Sequence, residues 1–276
     1  MGSTGSISRN FKIRIMVKDK ITVVKIGGSV VDDRLALQSF IKSFAALEGR
    51  LVLVHGGGKQ ATSLAARLQI PQQMIDGRRV TDEATLSLVT MVYAGLNNKR
   101  LVALLQAHEV NAIGLSGPDA NIIRAHKRRH PTIDYGYAGD IKQVDALQLM
   151  RLLQQGLTPV IAPITHDGAG QLLNTNADSV AAAVATGLAP VGAVQLIYCF
   201  EKAGVLKNTE DETSVIDKLR PEDMEAMRLS GLIHTGMLPK LEQAFDARQK
   251  GVHKVSIGKA SELAGLVHQI KGTSIL

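Results

Sequence analysis

A strand that runs into glycines and then into a helix occurs twice in succession near the start of this chain, and that repeat does most to limit the folds open to it. Ile21-Thr22-Val23-Val24-Lys25-Ile26 is a β-branched run ending in Gly27-Gly28-Ser29, and a helical pattern of apolar residues follows from about Asp33 to Leu47. Leu51-Val52-Leu53-Val54 then meets His55-Gly56-Gly57-Gly58, with a second helix expected from about Lys59 to Leu68. Consecutive units of this kind predict parallel strands covered by helices. Both glycine clusters then fall at the carboxyl edge of the sheet, where ligands of open α/β folds bind.

The remaining sequence extends this pattern. A short two-stranded excursion is expected around Gly77-Arg78-Arg79-Val80-Thr81, followed by a long helix capped by Thr81 or Asp82, with Leu86, Val89, Val92 and Leu96 at helical spacing. Val110 to Leu115 reads as a strand, and Ile122 to Ala125 with Tyr135 to Val144 reads as an antiparallel hairpin around a basic run. A helix to about Gln155, one strand from Thr158 to Ile164 and the short strand Leu172-Leu173 come next. An Ala-rich helix after Asn174-Thr175-Asn176-Ala177-Asp178, the strand Ala193 to Phe200, helices near 217–229 and 239–250 and the strand Val252 to Ile257 complete the reading. Gly and Pro between Leu188 and Gly192 suggest a lobe boundary there, and residues 1–20 read as a flexible leader outside the fold.

Composition narrows the function. With 45% hydrophobic and 21% charged residues the chain is an ordinary globular one, and 276 residues can bury a sizeable core. The longest apolar stretch, Ser179 to Phe200, is interrupted by Gly187, Pro190, Gly192 and Gln195, so no membrane span is expected. A lone cysteine, Cys199, fits a buried apolar role in a reducing, cytoplasmic compartment. The formal charge of +7 would suit nucleic acid, but the excess is concentrated in the leader and in His126-Lys127-Arg128-Arg129-His130, and aromatics are only 3%. No Lys or Arg stands between Leu152 and Glu201, so no nucleic-acid partner is expected.

Chemistry is expected where glycines let the backbone approach an anion at a helix N-terminus. Neither cluster is a Walker A loop, because Lys59 is followed by Gln60 and Leu53 stands where the first glycine would be. Lys25 is a charge in an otherwise apolar strand, two residues before Gly27, and it needs an anion or a salt bridge at the strand end. Lys240 follows Gly236-Met237-Leu238-Pro239 at a helix start, where the dipole disfavours a cation unless an anion is present. Arg78 could grip a carboxylate in bidentate fashion. Singly, each has a plainer reading: Lys240 as a surface lysine, Asp178 as a helix cap, Asn174 and Asn176 as turn formers. No His, Cys or carboxylate set has metal-ligand spacing.

Taken together, Lys25-Ile26-Gly27-Gly28-Ser29, His55-Gly56-Gly57-Gly58, Gly77-Arg78-Arg79-Val80-Thr81, Asn174-Thr175-Asn176-Ala177-Asp178 and Gly236-Met237-Leu238-Pro239-Lys240 resemble, in order and spacing, the motifs of the acetylglutamate kinase branch of the amino-acid kinase family. Asp134-Tyr135-Gly136-Tyr137-Ala138-Gly139-Asp140 resembles that branch's substrate-side hairpin. The resemblance implies an α/β fold, a three-layer αβα sandwich with a mainly parallel central sheet, usually as a homodimer. It implies a cytoplasmic phosphotransferase of arginine biosynthesis that uses ATP and Mg2+ on a small-molecule acylglutamate. The acceptor would be held by residues 21–188 and ATP by residues 189–276. Lys25 and Lys240 would neutralise the phosphoryl group in flight, Asp178 would hold both ammonium groups, and Gly27, Gly28, Gly57 and Gly58 would donate backbone N–H groups. Arg78, Asn174 and Asn176 would bind the acceptor. N-succinyl-L-glutamate is the rival acceptor, with Lys142 or the basic run supplying the extra cation, and carbamate, glutamate and UMP kinases are the rivals within the wider family. One departure stands out: Tyr198-Cys199-Phe200-Glu201-Lys202-Ala203-Gly204 replaces the Thr/Ser-Asp-Val type segment common in that branch.

Overall fold

The computed structural model describes residues 20–75, 77–208, 210–229 and 237–276. The leader therefore lies outside the described residues apart from Lys20, which opens the first strand, and Gly236 lies outside them too. Strand β1 (Lys20–Ile26) passes through Gly27 into a short helix, α1 (Gly28–Asp32). Asp33 then accepts from Ala36 N at 2.8 Å and starts α2 (Arg34–Ala45). The second unit is β2 (Arg50–His55) followed by α3 (Gly58–Arg67). Strands β3 (Gln73–Ile75) and β4 (Arg78–Val80) form the expected two-stranded excursion.

Asp82 caps α4 (Glu83–Thr90), accepting from Thr85 N at 2.7 Å. The sequence suggests one continuous helix from here, but Met91–Asn97 forms a π-helical stretch before α5 (Asn98–Gln106). Such widened turns recur at functional sites, and here both Asn97 and Asn98 end up fully buried. Next come β5 (Ala112–Leu115), the hairpin β6 (Ile123–Lys127) and β7 (Ala138–Val144), and α6 (Ala146–Gln154) capped by Asp145.

The single strand expected from Thr158 to Ile164 is in fact two, β8 (Thr158–Ile161) and β9 (Ile164–His166). Pro163 has no N–H for the ladder, and beyond it the chain leaves the main sheet to pair with β10 (Leu172–Thr175). The Ala-rich helix α7 (Ala177–Leu188) and strand β11 (Ala193–Phe200) follow. The chain closes with β12 (Lys218–Leu219), α8 (Pro221–Leu229), α9 (Leu238–Gln249), β13 (Lys254–Lys259), α10 (Leu263–Val267) and β14 (Thr273–Ile275).

Eight strands form one sheet in the order β12-β14-β13-β11-β1-β2-β8-β5, parallel throughout except where β13 meets β14. Strand alternation decides which side chains face which layer. Ile21 and Val23 pack with Val180, Ala181, Val184, Leu241 and Ala244 of α7 and α9, whereas Val24 and Ile26 pack with Phe40, Phe44, Leu101 and Leu105 of α2 and α5. That is the three-layer αβα arrangement, and it turns Lys25 toward the α7 side. Strands from before Leu188 and from after Gly192 both belong to this sheet. Strands β6, β7, β9 and β10 close on one another as a small barrel beside the sheet. Among the described residues no helix is long and apolar enough to cross a membrane.

Candidate active site

The two central parallel strands end level with one another, Ile26 opposite His55 on one side and Cys199 on the other. Their glycine loops therefore meet. Gly56 N donates to Ile26 O at 3.0 Å, and a Cβ on Gly28 would sit 3.5 Å from Gly58 N. The loops abut closely enough that the opening N–H groups of α1 and α3, which have no intrahelical acceptor, converge on one volume. A cleft of about 190 Å³ opens there.

Of the residues singled out in the sequence, Gly28, Gly57, Gly58, Arg78, Asn174 and Asn176 all line this cleft. Chains separated by about a hundred positions are joined by a few polar contacts. Asn174 Nδ2 donates to Thr81 Oγ1 at 3.0 Å, and Thr81 Oγ1 donates to Arg79 O at 2.9 Å. Thr81 N donates in turn to Tyr135 O at 3.0 Å. Gly136 has φ of +64°, and a Cβ there would overlap Thr81 O, so the hairpin can dock against Thr81 only through a glycine. This explains why the Gly-Arg-Arg-Val-Thr and Asp-Tyr-Gly-Tyr segments act as one wall.

Asn176, and not Asp178, caps α7: its side chain accepts from Asp178 N at 2.8 Å and Ser179 N at 3.2 Å. The capping role open to Asp178 on sequence grounds is thereby taken, and its carboxylate is free for another partner. That partner is Lys25, whose Nζ lies 2.6 Å from Asp178 Oδ1, with both side chains about nine-tenths buried. At that distance the contact is a charge-assisted one between ammonium and carboxylate. Burial acts to raise the Asp178 carboxyl, but Lys25 and then Lys240 outweigh it and hold the group below its ordinary value. Lys240 approaches from α9, its Nζ 5.5 Å from the Phe200 ring centroid. Lys25, Asp178 and Lys240 are not part of the cleft wall itself. They lie at its end, beyond Ala177, where Gly27 would bring a Cβ to 4.0 Å from Lys25 Nζ.

Arg78 is half-buried at the opposite side, and burial together with Arg128 pushes its pKa down while Asp140 and Tyr135 oppose this. A guanidinium remains charged through such a shift, and the crowding of like charge favours an incoming carboxylate. Arg128 is itself committed to Asp140 at 2.7 Å and stacks over Tyr135. Lys127 pairs with Asp134 at 3.6 Å, so part of the basic run is neutralised within its own hairpin. Lys142, considered as a cation for a longer acyl group, borders a separate groove between β7, α7 and α9.

Sequence reasoning gave no role to Arg79, yet it is buried in the cleft wall and donates to Gly58 O at 3.1 Å and Thr62 Oγ1 at 3.0 Å, with Gln72 Oε1 as a third acceptor. It holds the start of α3 in place. Tyr198, part of the departing segment, donates its hydroxyl to Asp178 O at 3.3 Å and so supports the helix end from the neighbouring strand. Cys199 is fully buried, which pushes its thiol up to about 12 despite Lys25 nearby, consistent with an inert apolar role.

Two glycine-lined helix starts and a guanidinium around one cleft, with a buried lysine–aspartate pair at its end, form a site suited to anions. Comparison with known proteins agrees. The model of the amino acid kinase family matches residues 20–259. The chain belongs to the amino acid kinase family. A Cytophaga hutchinsonii protein named acetylglutamate kinase is 50% identical, covering 93% of this chain and 98% of its own. A Bacteroides fragilis protein of the same name is 48% identical over 94% of this chain and 98% of its own. Among solved structures, one from Streptococcus mutans superposes with a TM-score of 0.78 at 30% identity, covering 92% of this chain and 98% of that one. Kinases of this family carry the fold described above, and the chain has it across both the cleft and the strand that ends at Phe200.

Proposed function

We propose that this kinase transfers the γ-phosphoryl group of ATP to the side-chain carboxylate of N-acetyl-L-glutamate, a step of arginine biosynthesis. The observation that carries the reading is the Lys25–Asp178 pair held at the end of a cleft walled by Gly28, Gly57, Gly58, Arg78, Asn174 and Asn176. The names of the relatives at 48–50% identity support the acceptor. A carboxylate is a competent nucleophile at neutral pH, so the site needs no general base. Its work is alignment and relief of repulsion between anions.

Arg78 holds one carboxylate of the acceptor, and Asn174 and Asn176 hydrogen-bond its polar groups. Gly57 and Gly58 present N–H groups to the attacking oxygen and the phosphoryl oxygens, and Gly27 and Gly28 present theirs to the nucleotide phosphates. Lys25 stabilises the equatorial oxygens and Lys240 the leaving side, with Asp178 fixing both ammonium groups. Mg2+ would be carried by the ATP phosphates, where it would neutralise charge on the β- and γ-oxygens. The cleft draws its walls from residues 28–177, whereas Phe200 and Lys240 lie beyond, in keeping with an acceptor side over residues 21–188 and a nucleotide side over 189–276. We place the enzyme in the cytoplasm, as a homodimer.

The commitment of Arg128 to Asp140 and the position of Lys142 in another groove weigh toward the acetyl acceptor. ATP-dependent acyl-phosphate formation, trapped with hydroxylamine, tests this with N-acetyl- and N-succinyl-L-glutamate side by side. Product with the acetyl compound is expected. Product with the succinyl compound alone would replace the acceptor, and product with neither would return the assignment to the wider family.

A further inference from the structure

His55 immediately precedes the three glycines and has no part in the transfer as described. It is completely buried at the end of β2. Its Nδ1 lies 2.9 Å from Gly56 O, and its Nε2 lies 3.2 Å from Asn98 Nδ2. The hydrogens follow from the partners. Asn98 Nδ2 also donates to Val160 O at 2.9 Å, and Asn98 Oδ1 accepts from Lys99 Nζ at 3.2 Å. A carbonyl only accepts and an ammonium only donates, so the carboxamide has a single orientation. Its second hydrogen then points at Nε2, which must be unprotonated. The neutral ring keeps its proton on Nδ1 and donates it to Gly56 O.

A peptide unit is planar and trans, so its C=O and the following N–H point in opposite directions. The Gly56 carbonyl points back at the buried imidazole, which sends the Gly57 N–H the other way, toward the cleft that Gly57 lines. Gly56 N is already tied to Ile26 O, and the α-carbon of Gly57 rests on Asn97 and Tyr93 so closely that a Cβ would overlap the Asn97 amide. The loop is thus held at Gly56 N and at the Gly57 α-carbon, and the imidazole sets the rotation of the peptide plane between them.

We propose that His55, oriented by Asn98, is a positioning residue that aims the Gly57 N–H at the oxygen being phosphorylated or transferred. The ring touches no substrate and moves no proton. Burial pushes it down to about 4, so it stays neutral while the enzyme works. The inference rests on phosphoryl transfer taking place in this cleft.

Two measurements test it. Long-range ¹H–¹⁵N correlation on the full chain with labelled histidine should show His55 as the neutral Nδ1–H tautomer from about pH 5.5 to about pH 8.5. An Nε2–H tautomer, or a protonation within that range, would overturn the proposal. His55→Phe keeps a planar ring but loses the donor, and kcat should fall about 10- to 100-fold through misalignment while the KM for ATP changes little. His55→Asn, whose amide nitrogen can stand in for Nδ1, should recover part of that loss. A folded His55→Phe variant with undiminished kcat would also overturn it. If the phenylalanine variant does not fold, the tautomer decides on the unaltered protein. Absence of acyl phosphate from the wild type would count against the acceptor, and the tautomer measurement does not depend on it.

Discussion

At the residue scale the account turns on three side chains that the sequence could only nominate separately. Lys25 was legible as a charge out of place in an apolar strand, but its partner lies 153 positions away, beyond any local pattern. Asn176 and Asp178 are both capable caps two residues apart, and only the structure shows that Asn176 takes the cap and leaves Asp178 for lysine. Arg79 escaped notice because its neighbour Arg78 offered the same chemistry, and two of the three acceptors that tie Arg79 down lie on α3. Lys25→Ala and Lys240→Ala should each lower kcat on the order of 10²-fold through lost electrostatic stabilisation. Steady-state turnover checks this, and near-normal rates would remove the lysines from the mechanism. Lys25→Ala should also destabilise the fold by about 3 kcal/mol, since it strips the closest partner from a buried carboxylate. Asp178 gives a second expectation. Its carboxyl is held below its ordinary value in the folded chain, so its contribution is fully present above an unfolded pKa of about 4 and is lost as pH falls through the lower folded value. Urea midpoints of wild type and Asp178→Asn should therefore converge on acidification. A constant gap would contradict the pairing.

At the scale of elements, the strand–glycine–helix units were readable because alternation, β-branching and glycine punctuation all pointed the same way. What escaped the sequence was short or depended on distant partners. β12 and β14 have too few residues for a period, and the barrel of β6, β7, β9 and β10 depends on Pro163 turning the chain out of the main sheet. The π-helical stretch breaks a helix whose apolar spacing gave no warning. Helix α7 offers a test that separates architecture from binding. Asn176→Ala should cost about 1 kcal/mol of stability by removing the cap. Asn176→Asp should keep that stability, read from denaturation midpoints, yet raise the KM for the acceptor by placing a carboxylate in the cleft. Equal binding by both variants would place Asn176 outside the acceptor site.

At the scale of the whole molecule, one sheet joins the segments before and after residues 188–192, so the proposed acceptor and nucleotide sides would share a single floor. Met91 and Leu96, between α4 and α5, are exposed at 58% and 62%, and the proposed homodimer would cover apolar side chains of this kind. Sedimentation should show a dimer that Leu96→Glu weakens, whereas a monomeric wild type would remove the homodimer. The central claim is direct transfer from ATP to the side-chain carboxylate, and one experiment meets it squarely. N-acetyl-L-glutamate carrying ¹⁸O in its side-chain carboxylate is incubated with the enzyme and MgATP, and the products are followed by ³¹P NMR. The account predicts an acyl-phosphate resonance displaced by the isotope, because a labelled oxygen becomes the bridge to phosphorus. ADP accompanied only by unlabelled inorganic phosphate would mean that water, and not the carboxylate, receives the phosphoryl group.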